Sequence, residues 1–368
     1  METKASLIRQ IGGRFETARV EIAEPVGREV LVDVRASSLC HSDYGSANDD
    51  WGFPLPWIGG HEFAGVVLAI GPDVRDVEVG QHVVGCLVQF CGDCEACRDD
   101  RTFQCPNGAA TMRAEGEPAR VVEDGESPVG QFVGLGGFAG RVLAHENQVI
   151  AVPEQIPFAS ASLLGCGALT GAGAILNAAK LPKGATVLII GAGGVGLHAV
   201  QAARIAGAGR IIVADRIANK LDLATSLGAT DVIDSSAGDL VEAVRGLTDG
   251  RGVDFAFEFV GRADTTRLAI TATRVGGQVF LIGVHKLGIP DEIFVTQDLL
   301  MAQRSLTGVF MGSSNSKQFI PRLAEMYLAG DYALDDLVSS TIGIDDVADA
   351  YDQLLRGEIA RAVITDFR

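Results

Sequence analysis

A glycine-rich turn near the middle of the 368-residue chain limits its possible folds more than any other feature. The apolar run Thr186–Ile190 reads as a buried strand, the turn Gly191-Ala-Gly-Gly-Val-Gly196 follows directly, and a helical pattern comes next. In this context the glycines make the tight turn, let a pyrophosphate approach the backbone, and let the helix pack closely on the strand. The helix N-terminus also offers unpaired N–H groups to phosphates. A tight turn without a ligand is the plainer alternative. The motif predicts a dinucleotide site that uses Gly191, Gly193, Gly194 and Gly196.

The residue that ends the next predicted strand bears on the choice of dinucleotide. Asp215 lies 24 residues after Gly191. A carboxylate there can accept hydrogen bonds from the ribose hydroxyls of NAD and repels the 2′-phosphate of NADP. Arg216, the next residue, could instead hold that phosphate. The pair favours NAD and leaves NADP open.

Strands and helices alternate around this turn. The predicted strands are 186–190, 210–214, 231–234, 253–257 and 278–282, and the predicted helices are 197–206, 219–227 and 240–246. This alternation is typical of a parallel, doubly wound α/β sheet. The part before about residue 151 has short β-rich runs, and its segment 108–130 is predicted to be a polar, loop-like insertion. We therefore expect a first domain over 1–167, a nucleotide domain over 168–312, and a segment 313–368 that returns to the first domain.

The charge balance argues against some partners. The chain has 30 basic and 47 acidic residues, a net charge of −17, which disfavours nucleic acids and anionic membrane surfaces. No basic-then-apolar leader is visible, and the most apolar stretch, 185–197, is shorter than the ~18 residues of a membrane span. We expect a cytoplasmic protein without a membrane or nucleic-acid partner.

Four of the seven cysteines fall within 15 residues, at Cys91, Cys94, Cys97 and Cys105. In a cytoplasmic chain such clustering favours a metal over disulfides. Four thiolates complete the tetrahedral shell of zinc and leave no open position, so the loop 91–105 predicts a structural zinc site. Redox-active cysteines and an iron–sulfur cluster are the alternatives.

Three further candidate ligands, Cys40, His61 and Cys166, lie far apart in the sequence. Two thiolates and one imidazole would leave one zinc position open for water or substrate, as in a catalytic site. Spacing alone does not bring them together, and two buried thiols with a surface histidine fit the residues equally well.

The chain as a whole resembles the zinc-dependent medium-chain alcohol dehydrogenases of the MDR superfamily. The resemblance rests on Cys40-His-Ser-Asp43, Gly60-His61-Glu62, the four-cysteine loop, Gly165-Cys166-Gly167, the glycine turn and Arg361-Ala-Val-Ile-Thr365. These segments span nearly the whole chain in the family's order. The resemblance implies a GroES-like, β-rich catalytic domain beside a Rossmann domain, two zinc ions per chain, NAD, and a homodimer or homotetramer.

The resemblance also implies residue roles. Cys40, His61 and Cys166 would hold the catalytic zinc, Ser42 would accept the alcohol proton, Asp43 would orient His61, and Glu62 would ligate zinc transiently. The implied cofactor contacts are His41 and Arg361 near the pyrophosphate, Thr170, Val195 and Val284 along the nicotinamide, and Lys220 on the adenosine side. Gly45 stands where the family's proton relay commonly ends in histidine, so the proton must leave beyond Ser42 by another path.

The implied substrate pocket is apolar. By the match it is lined by Trp51, Trp57, Leu87, Phe132, Val133 and Phe310. Because Ser42 is smaller than the threonine common in the family, we expect primary medium-chain or aromatic alcohols to be preferred over ethanol. A sugar-alcohol or thiol-adduct dehydrogenase is an alternative, although Trp51 and Ala109 replace the charged residues that the glutathione–formaldehyde branch uses. A non-catalytic NAD-binding redox sensor is another.

Overall fold

The computed structural model describes residues 1–290, 292–359 and 361–368. These residues form two compact units, one made of Met1–Cys166 with Asn315–Arg368, the other of Gly167–Ser314. The predicted boundaries lie one and two residues from these. Each unit has its own sheets and core, described separately below.

Strands and helices are numbered along the chain. The strands are β1 (Glu2–Ile8), β2 (Glu16–Ile22), β3 (Glu29–Ser38), β4 (Trp57–Ile58), β5 (Glu62–Ile70), β6 (His82–Gly85), β7 (Val121–Glu123), β8 (Ser127–Pro128), β9 (Gly130–Gln131), β10 (Arg141–His145), β11 (Val149–Ala151), β12 (Thr186–Ile190), β13 (Arg210–Asp215), β14 (Asp231–Asp234), β15 (Val253–Glu258), β16 (Thr273–Leu281), β17 (Ser305–Gly308), β18 (Ser340–Gly343) and β19 (Ala362–Asp366). The helices are α1 (His41–Asn48), α2 (Glu95–Arg98), α3 (Phe158–Ala161), α4 (Gly167–Gly173), α5 (Gly194–Ile205), α6 (Ala218–Ser226), α7 (Leu240–Leu247), α8 (Ala263–Ala272), α9 (Ser316–Leu328) and α10 (Val347–Arg356).

The first unit is built on two sheets, in the strand orders β8-β7-β2-β1-β4-β9 and β11-β6-β5-β3-β19-β18, with β10 also paired to β3. Strand β3 is apolar at successive positions because both of its faces are covered. Side chains alternate along a strand, so Val30 and Val32 pack in one core cluster while Leu31 packs in another. The antiparallel pairing of β19 with β3 brings the C-terminal segment into this unit.

The prediction of a loop over 108–130 was partly wrong. The segment contains β7 and β8, and β7 pairs with β2 in the register Ile22↔Val121. Two buried ion pairs also hold it, because Glu29 accepts hydrogen bonds from Arg113 Nε at 2.8 Å and from Arg120 Nε at 2.7 Å. Burial alone would raise the pKa of Glu29, but the two arginines lower it below its usual value. The segment is fixed by partners far from it in sequence.

The second unit is a parallel sheet in the order β14-β13-β12-β15-β16-β17. This is the 3-2-1-4-5-6 order of the Rossmann fold, as predicted. Helix α5 begins at Gly194, three residues earlier than predicted, because the glycine turn itself forms its first turn. Helix α8 was missed, and the strand predicted from Gln278 begins at Thr273. The sequence of helix α8, ADTTRLAITA, is rich in Thr and Ala and has only a short apolar face.

Among the described residues, no single helix is long and apolar enough to cross a membrane. One bent pair, Phe158–Gly165 with Gly167–Ala178, passes on length and composition alone.

Candidate active site

Side chains from three separate stretches of the first unit meet at one buried point. One ligand atom each from Cys40, His61, Glu62 and Cys166 lies within 4.8 Å of the others. His61 and Glu62 have no exposed surface, and the two cysteines are at most 8% exposed. The structure thus brings together the three candidate ligands that spacing alone left apart.

Backbone pairing explains why these residues meet. Strands β3 and β5 are in register at Ser38↔Glu62, so Cys40, two residues past Ser38, lies beside His61. Cys166 reaches the same point because Gly165 packs directly on β6. A Cβ atom at Gly165 would lie 1.9 Å from the Gly85 carbonyl oxygen, so only glycine allows this approach.

Asp43 fixes the imidazole of His61. Its Oδ1 lies 3.0 Å from His61 Nδ1 and accepts the Gly60 N–H at 2.9 Å. His61 Nε2 is then left buried with no hydrogen-bond partner among the described residues, and so is Glu62 Oε1. A buried nitrogen and oxygen without partners are costly unless a cation satisfies them. The donor set of two sulfurs, one imidazole and one carboxylate suits zinc.

The electrostatics of this point favour a thiolate at Cys40. The hydrogen bond with Cys166 lowers the pKa of Cys40 well below its usual value, and the charges of His61 and Arg361 act in the same direction. The thiolate is the form of cysteine that binds metals. Ser42 is adjacent, with its Oγ 3.8 Å from Cys40 Sγ.

Arg361 forms a buried ion pair with Glu62. Its Nη1 donates to Glu62 Oε2 at 2.7 Å and to Ser38 Oγ and the Leu39 carbonyl at 3.1 Å each. Burial raises the pKa of Glu62 to about 7, although Arg361 acts in the opposite direction. The predicted contact of Arg361 with a cofactor phosphate stays a prediction, and so does that of His41, which is exposed at the start of α1.

The four cysteines of the loop 91–105 also meet, and none of them forms a disulfide. Four of their Sγ–Sγ distances are 3.5, 3.6, 3.7 and 4.0 Å. A tetrahedron with Zn–S distances of about 2.3 Å has edges of about 3.8 Å, so this cage has the size of a zinc site. Backbone N–H groups of Asp93 and Cys94 lower the pKa of Cys91 to about 6.

Aromatic rings cover one side of the buried point. The Phe132 ring meets the His61 ring edge to face, with centroids 5.6 Å apart, and stacks on Trp57 at 5.2 Å. Phe53, which the sequence analysis missed, packs against both Phe132 and Trp57. The aromatic-rich stretch 51–57 was the signal that could have revealed it.

The other predicted pocket residues are more scattered. Val133 has a left-handed backbone and packs against the same core as Phe132, while Leu87 packs against the other core of the unit. Trp51 is half-buried, and its Nε1 has no hydrogen-bond partner in the described part of the chain. Phe310 belongs to the second unit and is largely exposed.

The glycine turn of the second unit has room for a ligand. Gly191 is left-handed with φ of +97°, and a Cβ at Gly196 would lie 1.9 Å from the Gly191 carbonyl oxygen. A Cβ at Gly193 would meet nothing within 4 Å, so this position is open for a phosphate. Asp215 Oδ2 accepts the Ala192 N–H at 2.8 Å, which holds the carboxylate against the turn.

The remaining predicted cofactor residues lie in the same unit. Thr170 is buried and donates to Met311 Sδ at 3.5 Å, whereas Val284 is exposed. Arg216 is exposed, and Val195 and Lys220 lie in the first turns of α5 and α6, partly buried. Their contacts with a cofactor stay predictions.

Comparison with known proteins agrees with this geometry. The alcohol dehydrogenase GroES-like domain matches residues 27–154, and the zinc-binding dehydrogenase family matches residues 194–325. The chain is 32% identical to alcohol dehydrogenase class-P of Arabidopsis thaliana over 98% of this chain and 97% of that protein. The chain belongs to the zinc-dependent medium-chain alcohol dehydrogenases. It is therefore an oxidoreductase that uses zinc and a nicotinamide cofactor.

Solved structures of similar proteins match this alcohol dehydrogenase over its whole length. An alcohol dehydrogenase zinc-binding domain protein from Burkholderia ambifaria is 35% identical, with a TM-score of 0.93 and 99% of each chain covered. Benzyl alcohol dehydrogenase from Acinetobacter calcoaceticus is 33% identical, with a TM-score of 0.92, and covers 100% of this chain and 99% of its own. The predicted fold, a GroES-like unit with a Rossmann unit, is confirmed.

Proposed function

We propose that the chain oxidises primary medium-chain or aromatic alcohols reversibly with NAD, at a zinc ion held by Cys40, His61 and Cys166. One observation carries this proposal: two sulfurs and an imidazole converge at a buried point where His61 Nε2 and Glu62 Oε1 have no partner among the described residues. Three protein ligands leave a fourth zinc position for the alcohol oxygen. A site closed by four thiolates could not do this.

Zinc, when bound, acts as a Lewis acid that lowers the pKa of the alcohol. Asp43 holds Nδ1 of His61, which leaves Nε2 as the nitrogen that would bind zinc. The Ser42 hydroxyl, whose Oγ lies 3.8 Å from Cys40 Sγ, would accept the alcohol proton, and the ribose of a bound cofactor would take the proton from Ser42. Arg361 engages Oε2 of Glu62 and leaves Oε1 available to ligate zinc while water and substrate exchange. Gly45 has no side chain that could carry a proton, so the proton would leave beyond Ser42 directly to solvent or through another group.

The preference for NAD over NADP rests on Asp215. Its carboxylate is held against the glycine turn, where the adenosine ribose of a bound dinucleotide would lie. Replacing Asp215 with serine is expected to raise KM for NAD and to improve the use of NADP. Unchanged cofactor preference in that variant would remove this part of the proposal.

The four-cysteine loop would hold a second, structural zinc, giving two per chain. Its sulfur cage has the dimensions of a tetrahedral zinc–thiolate site and no open position. A redox sensor that uses this loop as a switch would need only one zinc. Elemental analysis separates the two, since two zinc ions per chain favour the enzyme.

The substrate preference is inferred from the aromatic wall beside His61. Phe132, Trp57 and Phe53 give an apolar surface that suits an alkyl chain or an aromatic ring and offers little to a sugar alcohol. The benzyl alcohol dehydrogenase among the similar structures supports the aromatic class. A thiol adduct is the weaker candidate because Trp51 and Ala109 carry no charge.

We also propose a homodimer or homotetramer in the cytoplasm. Strand β17 is the edge of the parallel sheet, and Leu300 and Met301, just before it, are more than 70% exposed. Open strand edges and exposed apolar side chains are typical of surfaces that a second copy covers. Seven unpaired cysteines suit a reducing compartment. Light scattering of the wild type and of Met301→Asp tests the assembly, and a monomeric wild type would overturn it.

A substrate panel tests the central proposal. Formation of NADH is measured with ethanol, hexanol, benzyl alcohol and sorbitol, with and without a zinc chelator, and Cys40→Ser is the inactive control. We expect the highest kcat/KM for hexanol or benzyl alcohol and loss of all activity on chelation. Ethanol or sorbitol as the best substrate would refute the substrate class, and activity without zinc would refute the mechanism.

A further inference from the structure

A buried tyrosine from the C-terminal segment contacts the backbone of a metal ligand. Tyr351, in α10, donates its hydroxyl hydrogen to the Cys40 carbonyl oxygen at 3.1 Å. The two residues are 311 positions apart in sequence, and Tyr351 is 3% exposed. This contact has no place in the roles described so far.

Three aromatic rings hold the Tyr351 ring in place. It stacks on Phe15 with centroids 5.3 Å apart and an interplanar angle of 19°, and it packs against Tyr44 and Phe138 at 5.7 and 6.4 Å. A phenol hydroxyl is a hydrogen-bond donor, and this one lies 3.1 Å from the carbonyl oxygen that accepts from it. The position of the hydroxyl is therefore set by packing.

The C-terminal segment holds the backbone on both sides of the Cys40 α-carbon. The Leu39 N–H donates to the Ala362 carbonyl at 3.0 Å, while Tyr351 holds the Cys40 carbonyl. The Cys40 carbonyl also accepts the Asp43 N–H at 3.2 Å, which closes the first turn of α1. The peptide group that Tyr351 contacts thus links the ligand to the turn that carries Ser42 and Asp43.

We propose that Tyr351 is a positioning residue for the metal centre: by holding the Cys40 carbonyl, it fixes the direction of the Cys40 thiolate and of the first turn of α1. The inference rests on the proposed role of Cys40 as a zinc ligand. Residues that orient metal ligands without touching the metal typically affect metal affinity or activity by about 10–100-fold. Because the Asp43 N–H still contacts the carbonyl after the hydroxyl is lost, we expect the lower end of this range.

The test uses Tyr351→Phe, which keeps the ring and its stacking and removes only the hydroxyl. With Co²⁺ in place of zinc, the visible absorption reports the geometry of the thiolate ligands at Cys40 and Cys166. The four-cysteine site contributes equally to wild type and variant, so it cancels in the difference spectrum. We expect a shifted thiolate-to-cobalt band and release of the metal to a chelator about tenfold faster. We also expect a lower kcat.

The matched control is Tyr332→Phe, which removes another buried phenol hydroxyl from the same unit. It accounts for any general loss of stability, and its cobalt spectrum should equal that of the wild type. Replacing Tyr351 with 4-aminophenylalanine restores a donor at the same ring position and should restore the spectrum and the slow release of metal.

Identical cobalt spectra and metal-release rates in wild type and Tyr351→Phe would overturn the inference, even if the melting temperature fell, because a purely packing role changes only stability. Failure of the aminophenylalanine variant to rescue would also count against it. A wild type that binds the metal but oxidises no alcohol would instead refute the proposed function, and the spectral comparison would still decide the role of Tyr351.

Discussion

The four-cysteine loop and the Cys40–His61–Cys166 centre use similar ligands in opposite ways. The loop takes four sulfurs from 15 consecutive residues, most of them partly exposed. The centre gathers buried ligands separated by 21 and 105 residues. A site made from one short stretch stabilises that stretch, whereas a site made from distant stretches depends on the whole unit being folded. This is the difference that we expect between a structural metal site and a catalytic one.

The two sites also differ in the groups that lower the pKa of a cysteine ligand. In the loop, backbone N–H groups lower the pKa of Cys91, so the surrounding chain needs no charged partner. In the buried centre, His61 and Arg361 add to the effect of Cys166 on Cys40, and Asp43 and Glu62 complete a network of charged side chains. Such a network can orient ligands, but each member depends on the others.

The largest expected effect is on catalysis. Cys40→Ser removes a thiolate from the buried centre, and because bound metal supplies several kcal/mol of transition-state stabilisation, kcat should fall about 10³-fold or more. Cys86→Ser makes the same exchange at a buried cysteine outside both metal sites and should leave kcat near the wild-type value. Steady-state kinetics measures both. Retained turnover in Cys40→Ser would show that the buried centre is not needed for catalysis and would contradict the proposed difference between the two sites.

The converse change is Cys94→Ser in the loop. Losing a structural metal should cost about 4 kcal/mol of unfolding free energy, which for a unit of this size lowers Tm by about 8–16 °C. Below that temperature kcat should stay within about twofold, since no residue of the loop lies at the buried centre. Asp93→Asn, in the same loop without loss of a sulfur, is the control. Calorimetry that finds no change in Tm for Cys94→Ser would contradict a structural role.

A smaller effect is expected for Asp43→Asn. An amide at this position cannot carry the negative charge that faces His61 Nδ1, so the imidazole becomes a weaker and less fixed ligand. Activity or metal affinity should fall about 10–100-fold. The control is Ser46→Ala, at a buried position of the same helix, and we expect this variant to keep most activity. Equal activity of Asp43→Asn and wild type would show that His61 needs no orientation.

The smallest effects compare two glycines. Gly165→Ala places a Cβ against the Gly85 carbonyl, so the backbone that carries Cys166 must move, at a cost of about 1–3 kcal/mol. In Gly92→Ala, in the loop, the added Cβ lies within 4 Å of no other atom. The only cost is that of an alanine in a left-handed backbone conformation, φ +89°, about 1 kcal/mol of unfolding free energy. Activity should fall for Gly165→Ala alone. A larger loss of activity in Gly92→Ala would reverse the comparison.

Sequence reasoning is strongest where the information is local. The turn between β12 and α5 and the meeting of the four cysteines need only neighbouring residues, and the strands of the parallel sheet follow from short apolar runs. The cofactor contact of Asp215 stays a prediction. Sequence reasoning could not place Cys40 beside His61, because that depends on the β3–β5 register and on the close approach of Gly165 to Gly85. Only the resemblance to a family joined those ligands.

The errors have the same origin. Strand β7 has a weak local pattern and exists because β2 lies beside it, with Glu29 holding the arginines of the segment. Helix α8 has little apolar periodicity of its own and is buried through Thr266, Ala269 and Ile270. In each case a distant partner outweighs the local propensity.

The pairing of β19 with β3 sets an order of events during synthesis. On a translating ribosome the loop has all four sulfurs once Cys105 has emerged, whereas Arg361 is made 256 residues later. At about 5–20 residues per second that delay is about 10–50 s. The four sulfurs of the loop can therefore come together early, whereas the ion pair of Arg361 with Glu62 at the buried centre can form only much later in synthesis.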